Sequence, residues 1–72
     1  EFDLRFIDGM ILHHQGAIAM AEAVLQNSQR AEMKQLAEAV IGAQQAETDQ
    51  MQQWRQAWYP DAGAELVMYD AQ

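Results

Sequence analysis

Cysteine is absent from this chain of 72 residues, and proline occurs once. The lack of cysteine excludes disulfide bonds and thiolate metal sites. A chain of this length forms one domain at most and buries a limited core, so it usually needs a disulfide, a metal ion or a partner chain for stability. The composition therefore indicates metal binding or oligomerisation.

Basic residues are also scarce: four lysines and arginines stand against eleven acidic residues, for a formal charge of −7. A polyanion would be repelled by this charge, which excludes nucleic-acid binding. Metal cations would be attracted. The alternative is that the acidic residues only keep the surface soluble.

Long apolar runs are missing as well. No stretch approaches the roughly 20 apolar residues of a membrane-spanning helix, so no membrane span is predicted. No signal peptide is visible in this chain, which begins at Glu1 without a methionine. The compartment stays open on these grounds.

Good helix formers, namely alanine, glutamine, glutamate and methionine, dominate the first 59 residues. They predict a first helix over about 3–26, with Asp3 as its N-cap. Asn27 and Ser28 form the turn-like cluster, and Ser28 is expected to cap the second helix.

The second predicted helix runs over about 28–58, because Pro60 disfavours helical backbone at Tyr59. The two helices make one helical hairpin, residues 1–59. Residues 60–72 form a C-terminal tail with a short apolar patch over 66–69, which is compatible with a docked turn, a short helix or a frayed end.

A two-residue turn folds two helices back antiparallel, so facing residues have numbers that sum to about 57. The apolar stripes then meet, with Ile7 opposite Met51 and Asp3 opposite Trp54. Trp54 and Trp58 are expected to pack in the core and at the end of the bundle.

The same pairing brings the polar residues of the two apolar faces together. His14 is placed opposite Gln44, and Met10 opposite Glu47. One hairpin leaves an apolar face uncovered, so we expect an all-α fold in which the hairpin pairs into a ferritin-like four-helix bundle. The second hairpin comes from a homodimer or from a second repeat in a longer chain.

His13 and His14 are the two histidines of the chain. Imidazole with thioether suits copper, and imidazole alone also suits zinc, nickel and iron. We therefore expect a metal site built from His13, His14, Met10, Glu47 and Gln44, with copper first and zinc or iron behind it. Such a module would sequester or handle the metal without turnover.

A structural interpretation carries nearly equal weight. His14 is then a buried imidazole bonded to Glu47, with His13 at the surface or at a dimer seam, and the polar cluster only fixes helix register. A ferritin-like redox enzyme ranks last, because a di-iron centre uses Glu-x-x-His pairs and this sequence has none.

Two sequence patterns resemble those of the bacterial family called domain of unknown function 305. In the first helix the pattern comprises Phe6, Met10, the run from His13 to Ile18, Met20 and Ala21. In the second it comprises Leu36, Ala37, Ile41, Gln44, Glu47, Met51 and Trp54. The resemblance covers roughly residues 3–58.

This resemblance implies a ferritin-like four-helix fold that is often built from two hairpin repeats. It also implies an exported protein, periplasmic or extracellular. Some family members are associated with copper binding and tolerance, although most have no assigned biochemical function.

Overall fold

Two long helices joined by a short turn make up the computed structural model, which describes residues 1–63. Helix α1 spans Phe2–Asn27 and helix α2 spans Ala31–Trp58. The helices lie side by side and antiparallel, because contacts join the start of α1 to the end of α2. The expected all-helical hairpin is confirmed. Most of the predicted tail, including its apolar patch, lies outside the described residues.

The first helix begins earlier than expected, and its cap differs. The Glu1 side chain is the N-cap and accepts a hydrogen bond from the Asp3 backbone N–H at 2.7 Å. The prediction that Asp3 caps the helix is wrong. Asp3 lies in the first turn, where its carboxylate interacts favourably with the helix dipole.

The turn is also longer than the sequence indicated. Ser28 ends α1 with extended backbone, and its N–H donates to Val24 C=O at 2.8 Å. Ser28 Oγ accepts from the Arg30 N–H, and Arg30 is the N-cap of α2 without any side-chain cap bond. The prediction that Ser28 caps the second helix is therefore wrong, because its hydroxyl stabilises the turn.

The end of α2 follows from Pro60. Tyr59 has non-helical backbone, and its N–H closes the last turn on Arg55 C=O at 2.8 Å. The Tyr59 phenol donates a hydrogen bond to the Glu1 carboxylate. This bond raises the pKa of Tyr59 to about 12 and lowers the pKa of Glu1. It ties the two chain ends of the hairpin together.

A small apolar core lies near these chain ends. Ile7, Ile11 and Met51 are buried against one another, with Met10 and Tyr59 packed partly over them. The expected pairing of Ile7 with Met51 is confirmed. Full burial of one such side chain is worth about 1.5–3 kcal/mol, so this cluster supplies only a modest share of stability.

A buried ion pair flanks this core, and sequence reasoning missed it. Arg55 Nε donates to Asp8 Oδ1 at 2.6 Å, and a second guanidinium nitrogen reaches Oδ2 at 3.4 Å. The Asp8 side chain is fully buried and that of Arg55 is 11% exposed. The pair fixes the two helices relative to each other, since an unpaired carboxylate at this depth would be costly.

One face of the hairpin remains uncovered, and we call it the open face. Seven large hydrophobic side chains are exposed on the described hairpin, and all seven line the grooves of this face: Phe2, Phe6, Met20, Met33, Leu36, Trp54 and Trp58. The expected packing of the two tryptophans in the core and at the end of a four-helix bundle stays a prediction, because one hairpin leaves both on its open face. Their rings stack in parallel at 5.5 Å and are about half exposed.

Neither α1 nor α2 has an apolar stretch sufficient to cross a membrane.

Candidate metal centre

The side chains of His14 and Glu47 join the middle of the two helices. His14 Nε2 lies 2.5 Å from Glu47 Oε1. The residue numbers of this pair sum to 61, and those of Asp8 and Arg55 sum to 63, whereas the sequence pattern predicted about 57. Helical side chains lean toward the N-terminus of their own helix. In an antiparallel pair, the side-chain tips that touch therefore belong to residues with higher numbers on both helices than the residues whose backbones face each other.

The chemistry of this bond indicates which ring nitrogen donates. An ionised carboxylate only accepts hydrogen bonds, so Nε2 is the donor. In the neutral imidazole, His14 Nδ1 then presents its lone pair. This nitrogen is buried and has no hydrogen-bond partner in the described part of the chain. A neutral imidazole whose other nitrogen donates to a carboxylate is the usual form of a metal-ligating histidine.

Met10 lies one helical turn before His14 and lines the same open groove. The groove has a volume of about 240 Å³. It is lined by four apolar and three polar residues: Phe6, Met10, Met51 and Trp54, with His14, Glu47 and Gln50. A thioether, an imidazole and a carboxylate thus border one space. The predicted neighbourhood of Met10, His14 and Glu47 agrees with this geometry.

The exposure of Glu47 reflects its position on the hairpin. The sequence pattern placed Glu47 on the apolar stripe, and in the single hairpin its side chain is 62% exposed. Glu47 lies on the open face of the hairpin, and its Oε1 reaches inward to His14.

The other two predicted site residues lie close by but outside the groove. His13 is exposed, and its ring centre is 6.1 Å from that of His14 at an angle of 62°. Gln44 is half-buried, and its buried Oε1 has no hydrogen-bond partner within residues 1–63. The two residues bring a second imidazole and an unpaired carbonyl oxygen to the middle of the hairpin.

A single hairpin supplies few charged or imidazole ligands at any one point. Among residues 1–63, no three side chains of histidine, cysteine, aspartate or glutamate converge closely enough to hold a metal ion. This distribution gives no support to a ferritin-like di-iron centre, which needs about four carboxylates and two histidines. A metal held here needs thioether ligands or ligands from a second hairpin.

Sequence reasoning missed Thr48 as well as the Asp8–Arg55 pair. Thr48 is buried, and its hydroxyl has no hydrogen-bond partner in the described residues. Thr48 directly follows Glu47, about 100° further round the helix, just as Asp8 follows Ile7. Arg55 follows Trp54 in the same way. An apolar stripe drawn one residue wider on each helix would have included Asp8, Thr48 and Arg55.

Comparison with known families decides the affiliation of the chain. The family model described as "Domain of unknown function (DUF305)" matches residues 2–69. The chain belongs to this family. The predicted resemblance is therefore confirmed, and no curated protein matches the chain.

A solved structure resembles the hairpin closely. It is described as "CopM in the Cu(I)-bound form" and is 47% identical, with a TM-score of 0.77. The similarity covers 82% of this DUF305 chain but only 42% of the CopM chain. The DUF305 hairpin thus spans less than half of that neighbour.

Proposed function

We propose that this hairpin binds a transition metal ion, copper first, and serves its sequestration or handling without chemical turnover. The observation that carries the proposal is the buried Nδ1 of His14, a nitrogen lone pair without a partner in the described residues, with Met10 on the same groove. Leaving such an atom unpaired is costly, and a bound metal ion removes that cost.

Copper is the best match to these donors. Cu(I) is a soft ion that prefers thioether and imidazole ligands, whereas zinc and iron sites draw more on carboxylates or thiolates. The Cu(I)-bound state of the similar CopM structure supports the same ion. The ligands are His14 and Met10, with His13 as the second imidazole.

Glu47 and Gln44 take supporting roles in this proposal. Glu47 accepts from Nε2–H of His14, which holds the ring in the tautomer that leaves Nδ1 free for the metal. Gln44 Oε1, which has no hydrogen-bond partner within residues 1–63, would accept from a protonated group or complete the ligand shell. Outer partners of this kind typically change metal affinity by about 10- to 100-fold when they are lost.

The proposal extends to assembly and location. The exposed large hydrophobic side chains support a four-helix bundle completed by a second hairpin. Family resemblance supports export to the periplasm or the cell exterior, which cell fractionation would test.

Cu(I) titration under reducing conditions, in competition with a chromogenic chelator, tests the metal-binding role. Replacing both histidines with alanine should abolish competition, whereas Gln15→Ala, an exposed neighbour, should change nothing. Met10→Leu should weaken Cu(I) and leave zinc binding unaffected, and Met33→Leu is its matched control. Undiminished Cu(I) affinity in the double histidine variant would refute the proposal.

A structural module is the second candidate, and the 2.5 Å bond between His14 and Glu47 favours it. In that case the bond joins α1 to α2 and specifies their packing. Glu47→Gln and His14→Ala would then lower the melting temperature equally with and without metal. A melting temperature that falls when a chelator is added to the copper-loaded chain would count against this candidate.

A further inference from the structure

Three polar side-chain atoms inside the hairpin have no hydrogen-bond partner among residues 1–63. They are His14 Nδ1, Gln44 Oε1 and Thr48 Oγ1, and all three atoms are buried. Asp8, the other buried polar side chain of the described residues, is paired with Arg55 near the chain ends. The unpartnered buried atoms are thus confined to the middle of the hairpin.

Helix geometry places these three side chains next to one another. Gln44 and Thr48 are one turn apart, so they lie on the same face of α2. Thr48 directly follows Glu47, whose carboxylate bonds to His14 Nε2. The residue numbers of His14 and Thr48 sum to 62, between the sums of the two side-chain pairs that join the helices. Thr48 therefore lies across from His14, on the inner side of the exposed Glu47.

These side chains cannot satisfy one another. In the neutral imidazole the Nδ1 lone pair only accepts hydrogen bonds, as does Gln44 Oε1, and the Thr48 hydroxyl carries a single proton. One donor thus faces two acceptors, so at least one acceptor stays unpaired whichever way the hydroxyl turns. A buried polar atom without a partner is costly. A group that satisfies all three atoms must donate two hydrogen bonds and accept one.

We infer that the metal-free chain binds a water molecule inside the hairpin, where the water donates to His14 Nδ1 and Gln44 Oε1 and accepts from the Thr48 hydroxyl. Water has the two protons and the lone pair that this site requires. Buried waters in proteins typically make about three hydrogen bonds to otherwise unpaired groups. The site lies between the helices and not on the open face. Thr48 is a positioning residue for the imidazole, because it acts on His14 through the water.

The water also competes with a metal ion for Nδ1, a consequence that rests on the proposed function. A metal ion can bind this nitrogen only after the water has left, so the Thr48 hydroxyl stabilises the metal-free state. Thr48→Val removes the hydroxyl and keeps the shape of the side chain. It should raise the Cu(I) affinity by roughly five-fold, the factor that one net hydrogen bond is worth. If Thr48 instead helped to hold the metal, the same variant would bind Cu(I) more weakly.

Oxygen-17 magnetic relaxation dispersion tests the water site directly, because it detects water molecules that are held inside a protein for much longer than surface water. Thr48→Val and Gln44→Met should each lose one such water relative to the metal-free parent chain. Thr48→Ser keeps the hydroxyl and Gln45→Met changes an exposed neighbour, so both controls should retain the water. The nitrogen-15 chemical shift of His14 Nδ1 should move toward that of an unbonded nitrogen in Thr48→Val. Circular dichroism confirms that each variant is helical.

The outcomes separate this inference from the proposed function. Equal numbers of internal waters and equal Nδ1 shifts in the parent chain and Thr48→Val would overturn the water site and leave the proposed function intact. An internal water that Thr48→Val loses would support the site, even if the parent chain binds no Cu(I) and the proposed function fails. A Cu(I) affinity that falls in Thr48→Val would overturn the competition between water and metal.

Discussion

Removing Arg55 should destabilise the hairpin more than removing its partner Asp8. Arg55→Met leaves a carboxylate that is fully buried without its counter-charge, and breaking a buried pair from one side costs about 3–5 kcal/mol. Asp8→Asn leaves Arg55 on a flexible side chain near the end of α2, where it can turn to solvent. We expect about 1–3 kcal/mol for that change, close to the cost of a weakened charged hydrogen bond.

These losses are large for a chain of this size. Native stability amounts to about 0.05–0.15 kcal/mol per residue, or roughly 4–11 kcal/mol for the whole chain. Arg55→Met therefore removes a large share of it. The double variant Asp8→Leu with Arg55→Met replaces the pair by apolar side chains and should recover most of the loss, because apolar replacement of a buried pair is often neutral or stabilising.

Urea unfolding followed by circular dichroism measures the free energies of unfolding at several chain concentrations, which separates folding from pairing. The single variants Asp8→Leu and Arg55→Met form a complete cycle with the double variant, and this cycle isolates the coupling between the two side chains. If Arg55→Met costs less than about 1 kcal/mol, the pair behaves as an exposed one, and the reasoning from burial is refuted.

Two further predictions concern the helix ends and the helix surface. Tyr59 should ionise at about pH 12 because it donates to Glu1. Glu1→Gln should bring the pKa of Tyr59 back toward the ordinary value of about 10, as measured by the absorbance of tyrosinate. Identical titrations of the parent chain and the variant would contradict this. The raised pKa means that this contribution to stability is complete below about pH 10 and is lost as the pH rises through about 12. Gly16→Ala should raise the free energy of unfolding by about 0.5–1 kcal/mol, because alanine favours the helix over glycine. An added Cβ meets nothing within 4 Å in the middle of α1. A lower melting temperature would contradict this and show that another surface packs against Gly16.

The helices could be predicted because their signals are local. Apolar periodicity, the scarcity of glycine and the position of Pro60 determine where α1 and α2 lie, and the antiparallel turn places Ile7 against Met51. The caps at Glu1 and Arg30 could not be predicted in this way. They depend on the backbone conformation of one residue at each helix end, which similar polar residues nearby can also provide.

The candidate site was only partly predictable for a related reason. Spacing along each helix predicts that Met10, His14 and Glu47 lie at one height. It does not predict how far the side chains lean along the helices, and that lean selects Glu47 as the partner of His14. Asp8 and Arg55 were missed because each is an ordinary charged residue on its own helix. Only the packed hairpin reveals that both point inward.

The stacked pair of Trp54 and Trp58 gives the chain an optical property of its own. These are its two tryptophans, and both lie in one half-exposed stack at the end of the open face. All indole fluorescence therefore comes from a single location. Its emission should shift to shorter wavelength when that end of the face loses contact with water, so the unlabelled protein reports the covering of its own apolar face.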